Sequence, residues 1–180
     1  SILRVAIGFT TASAFVRTNA LRQSALSVSK LARNTRRTAT TMATWDATRE
    51  RQLKAGSNNK GDVLYWMARD QRAADNWALL RAAALAKENG SKARVVFALG
   101  AITTERRLDF QLKGLVETGR DLNAKGFAFD LLEVDDNAGA AVAAFAAAQK
   151  VSHVVCDFSP LREAKRGTKA LVDALPDNIG

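Results

Sequence analysis

The sequence is short of the residues that most catalytic and metal sites need. Cys156 is the only cysteine and His153 the only histidine among 180 residues. A single thiol excludes an intramolecular disulfide, and one thiol with one imidazole is too few for a zinc cluster. Nor do the two form a nucleophile and base pair: three positions apart on one strand they point to opposite faces, because side chains alternate with period two. Set among Val151, Val154 and Val155, His153 reads as a strand histidine making a local hydrogen bond. No G-x-G-x-x-G and no P-loop occurs, so a phosphate cradle of either common kind is unsupported. No internal repeat is present, and the amino-terminal apolar run is shorter than the ~20 residues a membrane span takes.

The absence of acid is more informative. Residues 1–45 contain none, are rich in Ser and Thr, and carry scattered Arg and Lys, which is the composition of an organelle transit peptide. The net charge of +9 sits wholly in the first sixty residues, where eleven bases face Asp46 and Glu50, while residues 61–180 hold sixteen of each sign. The basic balance therefore describes a leader and says nothing of a DNA-binding face on the rest. Residues 2–9 are apolar apart from Arg4, Ala12-Ser13-Ala14 supplies the small residues of a signal peptidase site, and Phe15 follows. This order looks like the two-part leader of algae whose plastids have extra membranes, which predicts a plastid protein free of the membrane once mature. A mitochondrial presequence, a disordered basic tail and a nuclear location are the alternatives. Residues 45–60, with Gly56-Ser57-Asn58-Asn59, read as a polar connector. Residues 1–60 are thus expected to be leader and linker, and residues 61–180 the folded domain.

Within that domain the stretch 61–80, GDVLYWMARDQRAADNWALL, organises the rest. Val63 to Met67 is a continuous apolar run that fits a parallel strand buried on both faces. Arg69, Asp70, Gln71 and Arg72 form a polar loop, and Asp75 or Asn76 can cap a helix running to about Asn89 with Trp77, Leu80, Ala84 and Leu85 inward. Further strands are predicted over 93–99, 127–134 and 151–157, and helices from Thr104 to about Lys125, after Asp135-Asp136-Asn137, and before Pro176. Leu108, Leu112, Leu115 and Leu122 stripe the second helix, and Val142 and Phe145 face inward on the third. Lys113 and Glu117 are spaced as a helical ion pair. Strands alternating with helices imply, through right-handed crossovers, an α/β doubly wound parallel sheet. Its ligands would bind where the strands end, near residues 69–72.

Tyr65-Trp66-Met67, Arg69-Asp70-Gln71-Arg72 and Asp75-Asn76-Trp77-Ala78-Leu79-Leu80 together resemble the start of the class II DNA photolyases. Leu112-Lys113-Gly114-Leu115 with Glu117, and Asp157-Phe158-Ser159-Pro160-Leu161-Arg162, agree in order and spacing. The resemblance covers residues 62–176 and departs at Ala68, where the family has Ser, and after Pro160, where a second Pro is absent. It implies a Rossmann-like sheet of order 3-2-1-4-5, of which the fifth strand and the helical domain that holds FAD would follow Gly180. It further implies light-driven repair of UV-induced cyclobutane pyrimidine dimers, in which excited reduced FAD lends an electron to a flipped-out dimer. UV-damaged DNA would be met by the helical domain, the full-length protein would be a monomer, and the stretch in hand would be inactive alone.

No catalytic residue is implied here, because the family's lie in the helical part, as does its tryptophan chain; Trp66 and Trp77 read as buried packing. An antenna chromophore, deazaflavin or folate, would be held at the strand ends by Arg69, Asp70, Leu99, Asp157 and Phe158. Arg69 with Asp70 can instead be a buried ion pair that holds the loop against the helical domain, and Asp157 can equally cap the turn through Ser159. A cryptochrome-like photoreceptor and a free-standing α/β binding module are the other readings.

Overall fold

A computed structural model describes residues 46–56, 60–100 and 104–180. The expectations on the leader, including Ala12-Ser13-Ala14 and Phe15, lie outside the described residues. After a 3-10 turn at Ala47–Arg49 the elements run β1 (Val63–Met67), α1 (Trp77–Glu88), β2 (Ala93–Leu99), α2 (Glu105–Ala124), β3 (Ala128–Glu133), α3 (Ala138–Ala148), β4 (His153–Cys156) and α4 (Arg162–Ala174). All strand pairs are parallel and the sheet order is β3-β2-β1-β4. This is the predicted doubly wound α/β sheet.

Every residue of β1 is buried, as a strand covered by helices on both faces must be. Val63, Tyr65 and Met67 pack with Val95 and Phe97 beneath α1 and α2. Leu64 and Trp66 pack with Val96 beneath α3 and α4. Alternation in one five-residue strand thus feeds both cores.

Asn76, rather than Asp75, caps α1, its side chain accepting from the Leu79 N–H at 2.9 Å. The inward face of α1 is Leu79, Ala82 and Ala86, not the face through Trp77 and Leu80, which are 39% and 38% exposed. Arg81 and Glu88 share the Trp77 side of α1, which faces out, while the alanines on the opposite side allow close approach to the sheet. Trp77 instead lies under the Arg49 guanidinium, 4.2 Å from its ring centre. Thr104 occupies the predicted cap of α2 without a side-chain bond, and Lys113 pairs with Asp109 at 2.7 Å rather than with Glu117. Gly126 ends α2 with a φ of 85°, a conformation costly to any residue with a Cβ.

Gly139 lets α3 and α4 touch backbone to backbone: a Cβ there would lie 2.7 Å from the Leu171 nitrogen and also meet the Gly167 carbonyl. On β2, Arg94 donates to Asp130 at 2.8 Å and to Gln149 at 2.6 Å, linking the β2–β3 pair to the end of α3.

Beyond α4 the chain returns to the sheet. The Gly180 N–H donates to Ser152 O at 3.1 Å, and Gly180 O accepts from the Val154 N–H at 2.7 Å, a parallel pairing on the outer edge of β4.

The connector before Gly61 is held against the sheet layers. Glu50 pairs with Arg81 of α1 at 2.9 Å, and Lys54 donates to Leu175 O at 2.5 Å and pairs with Asp177 at 3.1 Å. Gly56 abuts Gly180 so closely that a Cβ on it would come within 2.6 Å of the Gly180 Cα. The segment 46–56 is a strap from α1 on one face to the end of α4 on the other.

Candidate functional site

β1 is flanked by β2 and β4, and the chain leaves β1 for α1 on one face but leaves β4 for α4 on the other. The carboxyl ends of β1 and β4 therefore part, and this switch point is where a doubly wound sheet has its binding crevice. Its walls are residues 68–72 and 157–161.

Asp157 is the centre of the crevice. It is the first residue past β4, and its Oδ2 accepts the N–H groups of Ala68, Arg69 and Asp70 at 3.0, 2.8 and 3.3 Å. Its Oδ1 accepts the Tyr65 hydroxyl at 2.8 Å. The Tyr65 oxygen accepts in turn from Asn76 Nδ2 at 2.9 Å, and the same amide donates to Asp70 O at 2.8 Å and Arg72 O at 3.2 Å. One buried tyrosine and one buried asparagine thus join the end of β1, the loop after it, the start of α1 and the end of β4. Burial, and then the charge of Asp157, push the Tyr65 phenol far above its ordinary value, so it stays protonated and donates. Burial, with Asp157 second, also raises the Cys156 thiol, which makes it a poor thiolate.

The other residues singled out in the sequence fall around this network. Arg69 pairs with Asp70 at 3.1 Å on the surface, an exposed pair rather than a buried one. Asp70 raises the Arg69 guanidinium further, chiefly by that hydrogen bond. Phe158 is 77% exposed at the crevice mouth. Leu99 ends β2 opposite Glu133 and packs at the margin of the α1–α2 core. Trp66 is buried as expected; Trp77 is not.

The sequence reading missed Tyr65 and Asn76 as site residues. The signal was available, since a lone tyrosine in an otherwise apolar strand needs a partner for its hydroxyl. The loop is pinned from outside as well: Thr118 donates to Gln71 O at 3.0 Å, and Lys125 donates to Ala73 O. Two open depressions, of about 280 and 630 Å³, lie at the opposite end of the sheet around Lys60.

Such a sheet, with a polar crevice at its switch point, defines a Rossmann-like α/β domain, and the sequence then says which. Residues 63–179 match the DNA photolyase family, and this chain belongs to it. It is 38% identical over 139 residues to the deoxyribodipyrimidine photo-lyase of Arabidopsis thaliana, covering 73% of this chain and 28% of that protein. The Potorous tridactylus enzyme of the same name is 35% identical over 124 residues, 64% of this chain and 22% of that one. The chain thus spans about a quarter of the length of these relatives. A universal stress protein from Archaeoglobus fulgidus aligns in structure with a TM-score of 0.46 at 15% identity, over 66% of this chain and 96% of that one.

Proposed function

We propose that this chain is the amino-terminal α/β domain of a light-driven deoxyribodipyrimidine photolyase, close to class II, that repairs UV-induced cyclobutane pyrimidine dimers. The observation that carries the reading is the identity of 38% over 139 residues with a protein of that name, beside a family match over residues 63–179 that spans the whole sheet. Residues 1–45 are read as its organelle leader, directed to a plastid.

The residues of the crevice do not fit FAD. The amide row that would meet its pyrophosphate is bonded to Asp157. In this reading the flavin and the damaged DNA are held by a helical domain outside residues 61–180. What this domain's own residues do is hold the crevice in shape. Exposed Phe158, and Arg69 with its partner Asp70, would meet an antenna chromophore, deazaflavin or folate, at its mouth.

The test uses UV-irradiated DNA, reduced flavin and light. A protein that carries this domain joined to a photolyase helical domain should lose dimers only when illuminated. Residues 61–180 alone should restore none and should bind irradiated DNA no better than undamaged DNA, since their charges balance. Light-dependent repair by that stretch alone sinks the assignment of roles. A flavin-loaded parent that changes its absorption under light but repairs nothing points to a photoreceptor instead.

A further inference from the structure

The row of N–H groups at residues 68–70 is an anion cradle that already holds an anion. Successive backbone amides converging on one point, just past a strand, are the arrangement by which a main chain binds phosphate. Here the Asp157 Oδ2 takes all three, at 3.0, 2.8 and 3.3 Å, while Tyr65 holds Oδ1 at 2.8 Å. A phosphate entering the crevice would have to displace a carboxylate bonded four ways, and would meet its negative charge at contact range. The flank of the crevice is of another kind: Phe158 and Leu161 are 77% and 68% exposed, an open apolar surface against which a ring can lie.

We propose that Asp157 is the specificity-determining residue of the crevice: it fills the phosphate position, so the crevice takes a flat ring ligand without a phosphate and rejects the phosphorylated form of the same ring. Its bearing on an antenna chromophore rests on the photolyase reading. The exclusion of phosphate does not.

Riboflavin and flavin mononucleotide differ only by the phosphate and serve as the ring probes, with inorganic pyrophosphate as the anion alone. Titrations of the full chain are followed at the backbone amide resonances of Ala68, Arg69 and Asp70. In the unaltered chain pyrophosphate should give no saturable shift, and riboflavin should bind at least as tightly as its phosphate. In Asp157→Ala the three amides are freed, pyrophosphate should shift them saturably, and the preference should invert by roughly tenfold or more. Asp157→Ser, too short to reach the row, stands in where the alanine variant does not fold.

A saturable pyrophosphate shift in the unaltered chain overturns the proposal. So does a folded variant that gains no anion binding, or a pair of unfolded variants whose structure pyrophosphate does not restore. A merely structural Asp157 would leave the ratio between the two flavins unchanged. Failure of both flavins to bind the unaltered chain sinks the ring-ligand half together with the antenna reading, while the pyrophosphate arm judges Asp157 by itself.

Discussion

Tyr65 is the only tyrosine of the chain, and its hydroxyl connects two elements that the sequence separates by about ninety residues. Because burial raises its phenol above the ordinary value of 10.0, the sign of its pH effect is fixed. Above that value the unfolded chain releases the phenolic proton and the folded chain keeps it, so the unfolded state is favoured and stability falls as pH rises. Denaturant midpoints measured from roughly pH 8 to pH 11 should therefore drop, with tyrosinate absorbance appearing only as the chain unfolds. Tyr65→Phe should lower stability by about 1–3 kcal/mol at neutral pH, since Asp157 and Asn76 each lose a buried partner, and should flatten the alkaline decline. Tyrosinate forming in the folded protein near its ordinary range would contradict the network.

At the scale of elements, what could be read in advance and what could not divide along physical lines. β1 was legible because a five-residue apolar run has one solution in an α/β chain, and the Asn76 cap because short polar side chains precede a helix. The face of α1 was legible only through Arg81 and Glu88, which share the Trp77 side and mark it as outer, against the bulk of Trp77 and Leu80 that points the other way. The length of β4 was overread: Asp157 looks like a strand end, but its carboxylate is pulled to the loop after β1, a contact without local signature. The sequence pointed to the crevice through residues 69–72 and 157–158, yet not to the fact that its amide row is filled.

The pairing of α3 with α4 was invisible for a different reason, because it depends on the absence of a side chain at Gly139. Gly139→Ala should cost about 2–3 kcal/mol, because the new methyl meets backbone that cannot turn aside. A shift in the denaturant midpoint worth less than about 0.5 kcal/mol would show that the helices part easily.

For the whole molecule, the strap of residues 46–56 changes what a trimmed version can do. It crosses from α1 to the end of α4, and Gly56 backs the Gly180 that pairs with the outer edge of β4. Edge strands recruit other chains unless something stands in the way. Residues 46–180 should stay monomeric to higher concentration than residues 61–180 in sedimentation; equal behaviour would show that the strap guards nothing. If a leader is removed, the cut should fall before Asp46, and mass spectrometry of the native protein reads this directly. A mature terminus at Ser1 defeats the leader, and one inside residues 46–56 defeats the strap.

The strap also imposes a timetable. Lys54 is made early, but its acceptor on Leu175 lies 121 residues further on. At about 5–20 residues per second, the anchor waits roughly 6–24 s for its dock. During that interval Glu50 can already meet Arg81, only 31 residues away, so one end of the strap is tethered while the other hangs free. The nascent chain thus passes through a stage in which its sheet is being laid down with the border unfastened, and a chaperone would have most to do in that window.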